Sequence, residues 1–258
     1  MRTSNPVLSE KVFMEERAYN QTESMSIQGT VNKTGFLLVL LLMTAAWVWG
    51  KFFQPVAMFE TANAVAQNQA AIIPFVMGGA IVGFITAIVT CFVKKWAMVT
   101  APIYALCEGL VLGGLSALME YQYPGIVFQA VGLTFGTLFA LLFAYKAGLV
   151  KVTQNFRTGV FAATGGIALF YLATMILGFF KIQVPGVFGS GPLGILFSLF
   201  VVAVAALNLV LDFDFIERGA ESGAPKYMEW YGAFGLMVTL IWLYIEILRL
   251  LAKLRDRR

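Results

Sequence analysis

The chain has 258 residues, of which 59% are hydrophobic and only 12% charged, against about 25% charged in an ordinary soluble domain. That balance excludes a soluble globular fold. The excess of 18 basic over 14 acidic residues sits mostly in connections and at the C-terminal end, which is a membrane-topology signal rather than a nucleic-acid footprint.

Residues 1–34 are polar and of mixed charge, without the apolar core of a cleavable signal peptide, and are expected to form a polar cytoplasmic tail. Residues 35–258 are expected to form a single all-α, polytopic transmembrane domain, since a crossing needs about 20 apolar residues. Seven such spans follow in order: Gly35 to Phe53, Ala71 to Val93, Val99 to Met119, Ile126 to Gly148, Arg157 to Phe180, Pro192 to Asp214 or a little beyond, and Glu229 to Leu254. Short connections such as 94–98 and 120–125 force neighbouring helices to run antiparallel. The longest connection, Gln54 to Ala70, is polar and carries no Lys or Arg.

With the N-terminus inside, the cytoplasmic connections hold Lys94, Lys95, Lys146, Lys151, Arg157, Arg218 and Lys226, and the outer ones only Lys51 and Lys181. This asymmetry places the N-terminus in the cytoplasm. Arg249, Lys253, Arg255, Arg257 and Arg258 then lie outside after seven crossings, against the charge rule, and a re-entrant last segment is the alternative.

Gly79 and Gly83, Gly109 and Gly113, and Gly132 and Gly136 have the spacing that lets helix backbones approach closely in lipid. Trp47, Trp49, Trp96, Tyr121, Tyr123, Trp230 and Tyr231 fall near span ends as interfacial aromatics, and Trp242 falls deeper, as a packed residue. Cys91 and Cys107 lie in separate apolar runs without metal or redox spacing and read as packing residues. The chain has no histidine, so any pH response must come from carboxylates.

A carboxylate within hydrocarbon costs roughly 2.5–3.5 kcal/mol on insertion scales, so each needs a partner, water or a proton. Glu108 lies well inside the third span with no basic residue within a turn; it is either neutral and hydrogen-bonded or faces a water-filled path. Asp212 shares a helix face with Asn208 and has no basic neighbour on it, whereas Asp214 has Arg218 four residues on, an ordinary local ion pair. Asp212 is therefore the stronger site candidate. Glu246 has Arg249 and Lys253 on its own face, and Glu217 and Glu221 read as solvated charges of a connection. No phosphate-binding glycine loop, nucleophile elbow or metalloprotease helix is present, so an enzyme is not expected.

NLVLDFDFI at the end of the sixth span, LYIEILRLLAKL in the seventh and YALCEGLVLG in the third resemble motifs of the Bax inhibitor family, in its YccA-like bacterial branch. The resemblance covers roughly Gly35 to Leu254. It implies a last helix surrounded by the other six and a pH-sensitive calcium leak whose gate is a pair of acids sharing a proton, one ending the sixth helix and one in the seventh. Asp212 matches the first position and Glu246 the second, with Glu where the family has Asp; the same two residues would meet Ca²⁺ as the transported ion, with no resident cofactor. A hairpin turning near Ser222 instead sets Asp212 level with Gly232 and Asp214 level with Trp230, which makes Glu229 the nearer acid and puts Glu246 ~21 Å beyond Asp212.

The resulting expectation is a cation channel of a bacterial inner membrane, with lipid, Ca²⁺ and protons as partners and no nucleic acid. The alternative is a non-transporting regulator that binds other membrane proteins, such as a membrane protease, through the N-terminal tail.

Overall fold

The computed structural model describes residues 24–53, 61–180 and 187–257, with side chains described throughout these except at 61–67. Among these residues seven helices follow in order: α1 (Ile27–Phe52), α2 (Thr61–Phe92), α3 (Ala97–Gln122), α4 (Ile126–Lys146), α5 (Gln154–Phe179), α6 (Pro192–Glu221) and α7 (Met228–Asp256), with a 3-10 turn, Lys94–Trp96, before α3. All seven are long and apolar enough to cross a membrane. Among the described residues there is no strand beyond an isolated bridge between Ser24 and Pro225. The chain is an all-α membrane protein.

Local sequence sets several helix ends. The Ser26 hydroxyl accepts from the Gly29 amide at 3.0 Å and caps α1, and Thr153 does the same for Phe156 of α5 at 3.2 Å. Pro192 opens α6, where its missing N–H has no intrahelical acceptor to lose. Gly125, at φ 82°, allows the tight turn from α3 into α4, where the Glu120 carboxylate accepts from the Gly125 and Val127 amides.

Three boundaries depart from the hydropathy reading. α1 begins at Ile27, two turns before Gly35, because the polar residues there are helical and held by other parts of the chain. α2 begins at Thr61, well inside what reads as the long polar connection, and Asn68 of α2 donates to the Phe52 carbonyl at 3.0 Å. α7 runs unbroken from Met228 to Asp256, about 43 Å at 1.5 Å per residue, which leaves the re-entrant alternative without support. The tail expected over residues 1–34 falls largely outside the described residues.

α7 is the centre of the bundle: 61% of its most apolar window is buried, against 11% for α5. It packs against α6, α1, α4 and α3. Met237, Leu243 and Leu248 of α7 are enclosed together with Leu37 of α1, Ala105 of α3 and Leu209 of α6. α5 lies at the edge against α6, reaching α7 through Tyr171 and through the Trp242 ring, while α2 packs mainly on α3 and α1.

Two of the three glycine pairs serve close approach. A Cβ on Gly113 would stand 2.5 Å from the Ala45 carbonyl oxygen, and one on Gly109 would overlap Thr44 and the Leu41 carbonyl, so α1 and α3 cross backbone to backbone. Thr44 secures the crossing by donating to the Leu106 carbonyl at 3.0 Å. Gly79 lies against the Cys107 carbonyl, but Gly132 and Gly136 face open space and pack nothing. Cys91 is exposed and Cys107 half-buried.

Candidate functional site

Asp212, Asp214, Glu229 and Glu246 of the last two helices lie at three levels of the bundle, and three of these four are held by bases. Asp214 is buried at the start of α6's final two turns, between Arg157 of α5, 2.9 Å away, and Arg218 on its own helix. Glu246 is 2% exposed; its carboxylate accepts from Arg249 at 3.0 and 3.1 Å and from the Tyr171 hydroxyl at 3.1 Å, and Arg249 also donates to that hydroxyl at 2.8 Å. Glu229, 1% exposed in the first turn of α7, pairs with Lys33 of α1 and accepts from both the amide and the hydroxyl of Ser26 at 2.9 Å.

That last arrangement fastens the beginning of α1 to the α6–α7 hairpin. The Met25 amide donates to the Ala224 carbonyl at 2.6 Å, the Met25 side chain lies against Gly219 and Gly232, and Lys33 also sits over the Trp230 ring. Gly29 is part of the same fit, since a Cβ there would collide with the Glu229 carboxylate. None of Lys33, Ser26, Arg157 or Tyr171 is singled out by sequence reasoning as a partner of these acids; the polar face of residues 26–34, read as helix rather than tail, is the signal that would have exposed the first two.

Asp212 differs from the other three. It has no ion-pair partner within the described residues, its Oδ2 is enclosed and without a hydrogen bond, and its neighbour across the seam is the Thr239 hydroxyl of α7. Thr239 is itself bonded to the Gly235 carbonyl at 3.3 Å. Asn208, expected beside Asp212 on the same face, instead donates to Thr164 of α5 at 2.8 Å and to the Val204 carbonyl.

The symmetric hairpin reading needs correction. Gly232 stands against Ile216 rather than level with Asp212, and Asp212 reaches Thr239, so the two helices are offset by one to two turns relative to a turn centred on Ser222. Glu246 is then only seven residues, about 10 Å, beyond Asp212's level. Neither Glu229 nor Glu246 is bonded to Asp212, because each is already engaged by its own base. The pairing of Asp212 with Glu246 around a metal ion is likewise not formed: both Glu246 oxygens face Arg249, and among the described residues no group of three or more Cys, Asp or Glu side chains could hold a metal.

Glu108 lies apart, half-buried on the face of α3 that meets Gly83 of α2, with the Tyr104 hydroxyl one turn away in hydrogen-bond reach. No base approaches it within salt-bridge distance among the described residues. Glu108→Gln should therefore accumulate in the membrane like the wild type, since Gln keeps the volume and the bond to Tyr104. Glu108→Lys should not, and immunoblots of membrane fractions distinguish the two.

A model of the Bax inhibitor 1 like family matches residues 5–256. No curated protein and no solved structure matches the chain.

Proposed function

We propose, on the premise that this chain belongs to the Bax inhibitor 1 like family, that it is a pH-sensitive calcium leak channel gated by protonation of an intramembrane carboxylate. The observation that carries this reading is Asp212: the acid between α6 and α7 that has no base, one bare oxygen and a single hydroxyl neighbour.

The two protonation states of Asp212 ask for different surroundings. As the neutral acid it donates to the Thr239 oxygen, Thr239 in turn donates a hydrogen bond to the Gly235 carbonyl, and the seam stays dry and closed. As the carboxylate it is an unpaired charge with one oxygen enclosed, and leaving such a charge without a partner costs several kcal/mol. Water or a cation entering the seam relieves that cost. Calcium takes carboxylate, hydroxyl and carbonyl oxygens, which are the groups Asp212, Thr239 and the α7 backbone present. Ionisation thus favours the hydrated, conducting arrangement, and flux rises with pH. Asp214, Glu229 and Glu246, each neutralised by a base, hold the helices on either side of the moving seam.

The test is calcium flux into liposomes holding the purified protein, followed between about pH 5 and 8, the range in which buried carboxyl groups titrate. Flux above that of empty liposomes and climbing with pH supports the channel. Absent flux at every pH favours the regulator of other membrane proteins instead.

The orientation belongs to the same proposal. Connection charges put the N-terminus and the Asp214 end of α6 in the cytoplasm of a bacterial cell, at the inner membrane. A cysteine introduced at Lys95 or Lys151 is expected to react with an impermeant maleimide only after the cells are opened, and one at Asn63 to react on intact cells. The reverse pattern inverts the topology.

A further inference from the structure

A groove of about 390 Å³ runs between α1 and α4, floored by α3 and α7. Along α1 it extends from Leu38 to Trp49, a rise of about 16 Å. No charged side chain lines it. Its side-chain polar groups are Thr134, the indole N–H of Trp49 and the pair Ser116 and Tyr244, whose hydroxyls satisfy each other at 2.6 Å. Its rim is formed by Leu42 and Ala46 of α1 and Val131 of α4, all exposed on the outer face of the bundle, so within a bilayer it opens sideways to lipid and not to water.

We propose that this groove is a binding site for one acyl chain of a membrane lipid. Its shape argues for that occupant. It is an elongated trough about 16 Å long, and its open side faces the hydrocarbon of the bilayer, where acyl chains are the groups present to enter it. The lining argues the same way, because a charged ligand would find no opposite charge and few polar groups to replace its hydration, while an apolar chain gains contact with α1, α4 and the floor formed by α3 and α7. Leaving the groove empty would forfeit the dispersion contacts of its walls.

The site bears on the central helix. Leu240, Ile241 and Tyr244 of α7 form its inner wall, starting one residue beyond Thr239, which neighbours Asp212. A chain in the groove supports α7 on the side opposite the α6 seam. The binding itself is independent of whether the protein conducts calcium, and its test does not measure flux.

Vesicles of phosphatidylglycerol bearing a diazirine on one acyl chain, with the protein reconstituted in them, provide the experiment. After illumination, adducts are expected on the peptides holding Ser116 and Tyr244, which are 6% and 8% exposed and beyond the reach of lipid that merely surrounds the bundle. Ala46→Phe, which places a ring in the groove from an exposed position, should reduce those adducts at least fivefold and leave the adducts on lipid-facing Phe139 and Phe143 unchanged. Leu42→Trp fills the same space if Ala46→Phe does not accumulate. Adducts confined to exposed faces, equal labelling of the buried peptides in wild type and both filled variants, or cross-links between two copies at the groove would each overturn the proposal.

Discussion

Liposomes holding the Asp212→Asn protein should admit calcium at a low rate that no longer follows pH. Asparagine keeps the shape of the aspartic acid and can donate to Thr239 as the neutral acid does, but it has no proton to lose. The variant is therefore fixed in the state that the wild type adopts at low pH. A single titrating proton can change an open population by up to about tenfold per pH unit on one side of its midpoint, so wild type and variant should diverge by that order or more across the range measured. Coupling identifies the partner. Because Glu229 and Glu246 are each bonded to their own bases, Asp212→Asn should combine nearly additively with Glu229→Gln and with Glu246→Gln. Thr239→Val should be strongly non-additive with it. Undiminished pH dependence in Asp212→Asn would remove the carboxylate gate from this position.

The second large effect is on folding. Gly113→Val should leave almost no folded protein in the membrane, because even the first carbon of its side chain would stand 2.5 Å from the Ala45 carbonyl oxygen and 2.8 Å from the Ala45 Cα. These are backbone atoms that no rotamer change can move. Overpacking a core typically costs 1–3 kcal/mol, and separating two helix backbones belongs at or beyond the upper end of that range, a large part of the few kcal/mol by which proteins are stable. Gly132→Val is the matched control: it has the same spacing motif but nothing within 4 Å, and should behave as wild type. Fluorescence-detected size exclusion of the two variants in the same detergent decides the matter, and equal monodisperse peaks would refute the crossing described between α1 and α3.

These contrasts show which parts of the molecule could be read from the residues alone. Seven crossings are written in hydropathy, because the bilayer imposes a minimum apolar length on each. The pairs Asp214 with Arg218 and Glu246 with Arg249 are local on one helix and follow from spacing. The bond from Glu229 to Lys33 spans nearly the whole chain, and the contacts of Arg157 with Asp214 and Tyr171 with Glu246 join helices whose relative rotation no single-helix pattern fixes. Glycine spacing has the same limit: it marks Gly109, Gly113, Gly132 and Gly136 alike, and only the packing distinguishes a crossing from an open face. The lack of a local base beside Asp212 follows from spacing, but its neighbour Thr239 was out of reach because hairpin register depends on an offset that the turn sequence does not declare.

The centrality of α7 bears on how the protein is made. The helix that fills the middle follows the other six in the chain, so during synthesis they enter the bilayer before their common core exists. Lys33 must wait for Glu229, and the faces of α1, α3, α4 and α6 that will enclose α7 must meanwhile stay open, occupied by lipid or by the insertion machinery. Arg249 neutralises Glu246 within the same turn, which lets that acid travel into the membrane already paired. Assembly therefore runs from the rim inward, and fastening of the hairpin to Ser26 and Lys33 is the step that closes the ring.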